Sequence, residues 1–141
     1  MYFDELETGM KKEIPPALIE REEMLDFAKK YDNIPLHTDE EYAKTTRFGK
    51  LIAPGVMSFM SVWAKYLEVD FFGEELIAGM STKIEWFKPV FAEETLTAEA
   101  EVTNLTKKNE RSGIVEVTLK IYNQNGEYVM KDVTEALVKC K

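Results

Sequence analysis

The chain has 141 residues, 45% hydrophobic and 31% charged, which suffices for one domain over residues 1–141 with a core that needs no cross-links. A net charge of −8 argues against non-specific nucleic-acid binding, and a single cysteine, Cys140, excludes an intramolecular disulfide. The N-terminal stretch is acidic without an apolar leader, and no apolar run reaches the length of a membrane span, so the expectation is a cytoplasmic protein with no membrane partner.

Residues 1–19 read as extended or irregular. Gly9 signals a turn, and Pro15 with Pro16 excludes helix and disfavours a central strand. Glu20 to Tyr31 reads as a helix, with Met24, Phe27, Ala28 and Tyr31 on one apolar stripe. Its acidic residues fall at the positive end, and Lys29 and Lys30 at the negative end. Residues 32–53 carry little regular structure. Thr38 to Glu41 has capping-box spacing, which predicts one or two turns from Asp39 to Lys44. A long connection of this kind is often functional.

A second helix is predicted from Pro54, at the first helical position, to about Glu68. Val56, Met57, Phe59, Met60, Val62, Trp63, Tyr66 and Leu67 leave it almost no polar face. At about four turns it is too short to span a bilayer, so protein should wrap it on nearly every side.

Four strands follow: Leu76 to Phe87, Thr95 to Leu105, Ile114 to Tyr122 and Tyr128 to Lys139. The second and third alternate apolar and polar residues, as antiparallel strands with one wet face do. Lys107 to Gly113 is a polar turn, and Asn123 to Gly126 a hairpin signal. The fold class is therefore α+β, a curled antiparallel sheet around a long buried helix.

His37 is the only histidine and lies five residues after Asp32. An imidazole and a carboxylate on one loop, followed by a helix start, are the parts of an acid/base site with an oxyanion hole. Each part also has a plain structural reading. His37 suits a hydrogen-bonded loop, Asp32 a helix terminus, and Gly55 close backbone packing or, alternatively, an orphan helix N–H donor. The apolar stripe from Val56 to Leu67 suits core, with some residues free to line a pocket. One histidine and one remote cysteine do not make a zinc ligand set. Ser58 and Ser61 lack a nucleophile-elbow context, and no phosphate-binding glycine loop is present.

Asp32, Pro35, His37 and Asp39, then Ala43, Phe48, Ile52, Ala53 and Gly55, resemble the hydratase motif of MaoC-like (R)-specific enoyl-CoA hydratases. Phe87 to Val90 with Leu96 resembles a later strand and turn of the same family. The family has the hot-dog fold, usually as a dimer, so a homodimer is expected. The resemblance implies reversible addition of water to a trans-2-enoyl thioester, carried by CoA or acyl carrier protein, with no cofactor beyond the thioester substrate and no metal. It assigns Asp32 and His37 as the catalytic pair and Gly55 N–H as the oxyanion donor. Pro54, Phe59, Trp63 and Arg47 are the candidate substrate contacts, with Lys44 and Lys50 further candidates for phosphate. Trp63 is either the stop of an acyl tunnel or a core aromatic. The chain departs from the family pattern at Ile34, where Asn is common, at Pro54, where His is common, and at Trp63, where some members have Ser. A thioesterase of the same fold and a non-catalytic acyl-binding subunit are the competing readings.

Overall fold

Two prolines set the character of the first strand. In the computed structural model, which describes Met1 to Lys141, strand β1 spans Lys11–Leu18 and contains Pro15 and Pro16. It lies at one edge of a five-stranded sheet, and its register with β3 slips between Ile14 and Ala17. A proline pair survives in a strand only where a ladder bond is dispensable, at an edge or a bulge, and this strand has both. The region expected to be extended or irregular therefore holds an edge strand, after a 3-10 turn over Phe3–Glu5.

Helix α1 spans Arg21–Tyr31. Met24 and Ala28 are fully buried, but Tyr31 is 67% exposed, so the apolar stripe ends one turn early. The Tyr31 ring instead flanks Phe27, with centroids 5.1 Å apart. The connection that follows holds two short helices, α2 over Pro35–Thr38 and α3 over Glu40–Lys44. The short helix is present as predicted, but Asp39 rather than Thr38 caps it, accepting the Tyr42 N–H at 3.1 Å, while the Thr38 hydroxyl turns back to donate to the Ile34 carbonyl at 3.0 Å. The α2 turn was not anticipated; Pro35 at its first position preorganises it. An ion pair from Arg21 to Glu40 ties α1 to α3.

Helix α4 spans Gly55–Val69, and Pro54 is its N-cap rather than its first residue. Met57, Phe59, Val62 and Tyr66 are buried, and the helix packs across β1 and β3. The opposite face is not wrapped: Val56, Met60 and Leu67 stay 48%, 47% and 54% exposed. This corrects the expectation of an enclosed helix. The sheet covers one side of α4 and leaves an apolar outer face.

Strands β2 (Leu76–Trp86), β3 (Thr95–Lys107), β4 (Ser112–Tyr122) and β5 (Tyr128–Lys139) complete the sheet. All pairings are antiparallel and the order is β1-β3-β4-β5-β2. The sheet is open, with β1 and β2 as its edges. The β4–β5 hairpin turns at Gly126, whose φ of +74° suits glycine. Asn123 Oδ1 fixes that turn by accepting the Asn125 and Glu127 N–H groups at 3.0 Å each.

Candidate active site

The site begins where α1 stops. Asp32 is the C-cap of α1, its N–H donating to the Ala28 carbonyl at 2.9 Å, and its backbone then leaves helical geometry. Pro35 restarts the chain as α2, one turn that carries His37 inward. The His37 side chain is 7% exposed and the Asp32 side chain 41%. His37 Nδ1 donates to the Ile52 carbonyl at 2.8 Å. Ile52 is held in turn by a β-bridge to Phe91, and Ala53 N–H donates to the Val90 carbonyl at 2.7 Å. The stretch before α4 thus hangs on the turn after β2 and orients the imidazole from behind.

With a proton on Nδ1, a neutral His37 has a lone pair on Nε2. That atom stands 3.4 Å from Asp32 Oδ2. Two acceptors face each other at a distance too long for a direct charge-assisted bond. The arrangement is satisfied by a proton on Nε2 or by a water that donates one hydrogen to each group.

Gly55 opens α4, so its N–H and those of Val56 and Met57 have no helical carbonyl to bond. The Trp86 indole Nε1 donates to the Gly55 carbonyl at 3.1 Å. A Cβ at Gly55 would lie 2.5 Å from Trp86 Cε2, so this glycine is required by close approach of an aromatic ring. Trp86 ends β2, and its ring closes one wall of the site.

Asp32, His37, Arg47, Gly55, Ser58, Trp86 and Lys88 line one cleft of about 430 Å³. Lys88 is paired with Glu127 at 2.6 Å, whereas Arg47 has no carboxylate partner and lies over the Phe48 ring at 5.1 Å. The cleft therefore offers one free cation at its wall. Pro54 caps the helix without lining the cleft. Phe59 turns into the core, its ring 5.7 Å from Trp63, and Trp63 lines a different pocket at the other end of α4. Sequence reasoning missed Trp86 as a site residue. The signal was a strand ending directly before Phe87, Lys88, Pro89 and Val90, a run noted for its resemblance but given no place in the site. No group of three or more His, Cys, Asp or Glu side chains is arranged to hold a metal ion.

The family described as the MaoC like domain matches residues 5–125. This chain belongs to the MaoC-like domain family. Its five-stranded open sheet with one long helix is the family's hot-dog fold. A solved structure titled monoamine oxidase regulatory protein, from Archaeoglobus fulgius, superposes with a TM-score of 0.94 at 33% identity, covering 100% of this chain and 95% of that one. An (R)-specific enoyl-CoA hydratase of Aeromonas caviae is 30% identical over 139 residues, 99% of this chain and 98% of its own. A solved (R)-hydratase from the same organism, involved in PHA biosynthesis, superposes with a TM-score of 0.74 at 30% identity over 97% of this chain and 98% of that one.

Proposed function

We propose that this MaoC-like protein is a hydro-lyase that adds water to a trans-2-enoyl thioester to give the (R)-3-hydroxyacyl product. The observation that carries this reading is the pair of facing acceptors, His37 Nε2 and Asp32 Oδ2, 3.4 Å apart beside the open N-terminus of α4. A water between them gives one hydrogen to each. His37 Nε2 takes a proton as the water oxygen bonds to C3 of the enoyl group. The C2 carbon receives a proton from the same pair, and the thioester carbonyl oxygen carries the transient negative charge. Gly55 N–H faces that oxygen as its donor. The reverse sequence dehydrates a 3-hydroxyacyl thioester. Arg47, the free cation of the cleft, fits the phosphates of CoA or of a carrier-protein prosthetic arm. No cofactor is required, since every proton moved is supplied by water and the pair.

A second reading has one observation in its favour. The superposing archaeal protein is named as a regulatory protein, a role that needs no turnover and leaves room for a binding subunit. Retention of both Asp32 and His37 in one cleft favours the enzyme. A spectrophotometric assay with trans-2-enoyl-CoAs from short to long separates the two. Loss of the conjugated enoyl absorbance at some chain length is expected. Unchanged absorbance across the panel with folded protein, together with measurable acyl-CoA binding, would favour the subunit reading.

A further inference from the structure

Gly55 lines the Asp32/His37 cleft at the start of α4. A glycine has no side chain to lock its torsions, so an N–H donor on glycine needs its direction set from outside. The Gly55 N–H lies in the peptide plane shared with Pro54, and the torsions of Gly55 couple that plane to the one shared with Val56. The first plane is held at both ends. The proline ring keeps φ of Pro54 at −54°, and the Pro54 carbonyl accepts the Ser58 N–H at 3.1 Å. The second plane is held through the Gly55 carbonyl. That oxygen accepts the Ser58 hydroxyl at 2.8 Å and the Trp86 indole N–H at 3.1 Å.

The two donors come from different places. Ser58 belongs to α4 itself, one turn on. Trp86 is the last residue of β2 and pairs there with Met130 of β5, so its bond ties the helix start to the sheet. Its ring atoms Cε2, Cζ2 and Nε1 lie 2.5 to 2.8 Å from where a Cβ on Gly55 would stand. The indole thus restrains this glycine from the space that a side chain of its own would fill. No hydrogen bond joins Trp86 to Asp32 or His37.

We propose that Trp86 is the positioning residue of the oxyanion donor, holding the Gly55 N–H toward the thioester oxygen through the Gly55 carbonyl. This rests on the hydration reading above and assigns Trp86 to the carbonyl end of the substrate, apart from the water held by Asp32 and His37.

Trp86→Phe keeps an aromatic wall and deletes the N–H. The residue is 47% exposed, so the variant should fold, and Ser58→Ala gives a second variant that removes the other donor to the same oxygen. In each, kcat for the best enoyl-CoA should fall about two- to tenfold, the value of one hydrogen bond. KM should stay unchanged, because the donor counts most where negative charge develops. The pH profile of kcat, which follows the Asp32/His37 pair, should keep its shape. Vibrational difference spectra of an enoyl-CoA carrying 13C at the thioester carbonyl read the donor directly. Bound to Asp32→Asn, the carbonyl stretch should fall below its value in water, and it should fall less when Trp86→Phe is added. An equal stretch with and without the indole, or a raised KM at unchanged kcat, would make Trp86 a plain wall of the cleft and overturn the assignment. A parent that hydrates no enoyl-CoA would strike the reaction instead, and the stretch, which needs only binding, would still decide the role of Trp86.

Discussion

His37 Nδ1 is occupied by the Ile52 carbonyl, so only Nε2 is free to move a proton, and it points at Asp32. On the proposed mechanism, loss of either group removes half of the water's binding site. Asp32→Asn and His37→Ala should each lower kcat/KM for the best enoyl-CoA by a factor of about 10²–10⁴, the range for a positioned acid or base. The double variant should lose far less than the product of the two, because the groups act as one unit. Asp32 is partly solvated and caps α1 through its backbone, so the melting temperature of Asp32→Asn should move little. Near-normal turnover in either single variant removes that residue from the mechanism. Much of this pair was legible in the sequence, because a lone histidine five residues from an aspartate after a helix stop is a local pattern. Trp86 was not legible. Its place against Gly55 joins residues 31 positions apart, and no local pattern encodes that approach.

Between elements, Asp132 shows how β5 holds the edge strand β2. It is fully buried and contacts the hydroxyls of Thr82, across the strand pair, and Thr134, while those two hydroxyls lie 2.9 Å from each other. Three mutual contacts need three hydrogens, and the threonines supply two, so a protonated carboxyl closes the ring. Burial raises the carboxyl pKa, and the threonine hydrogen bonds pull it part of the way back. The folded chain therefore holds this proton more tightly than the unfolded chain. The stabilisation is complete below the ordinary aspartate range and is lost as pH rises through the raised folded value. Asp132→Asn, whose amide supplies the third hydrogen permanently, should match the parent's melting temperature below the ordinary aspartate range and gain on it as the pH is raised. A variant that loses on the parent as the pH is raised would argue for an ionised Asp132. The long alternating strands, the α1 stripe and the Asn123 hairpin were readable because each is a local periodicity or turn preference. Strand β1 was obscured by its prolines, which only an edge position with a register slip accommodates. The outer face of α4 was misjudged because helical patterning reports which residues are apolar, not which side the sheet leaves open.

At the scale of the whole molecule, the sheet's two edges are protected unequally. The β1 edge carries Pro15, Pro16, Lys11 and Lys12, which are devices that blunt strand pairing. The β2 edge has none of the prolines, and ten of its eleven residues are exposed, with Leu76, Ile77 and Met80 among the large apolar ones. The open face of α4 flanks that same edge: Val56 shares the cleft with Trp86, and Leu67 shares the pocket at the other end of α4 with Leu76. A β2 edge whose charges, Lys83 and Glu85, lie only near its end, continuous with an apolar helix face, can be self-complementary, and a two-fold axis beside β2 would pair the edges and cover both. The expected species is thus a homodimer, twice the 16.3 kDa of the chain by light scattering at micromolar concentration. Placing lysines at Ile77 and Met80 should yield a monomer that keeps its far-UV spectrum, because both side chains are already exposed. Such a monomer should also lose hydration activity, since Trp86, at the end of the same strand, forms a wall of the Asp32/His37 cleft. A parent protein of monomeric mass, or a double-lysine variant that stays dimeric, would place the apolar edge outside any contact between copies of this chain.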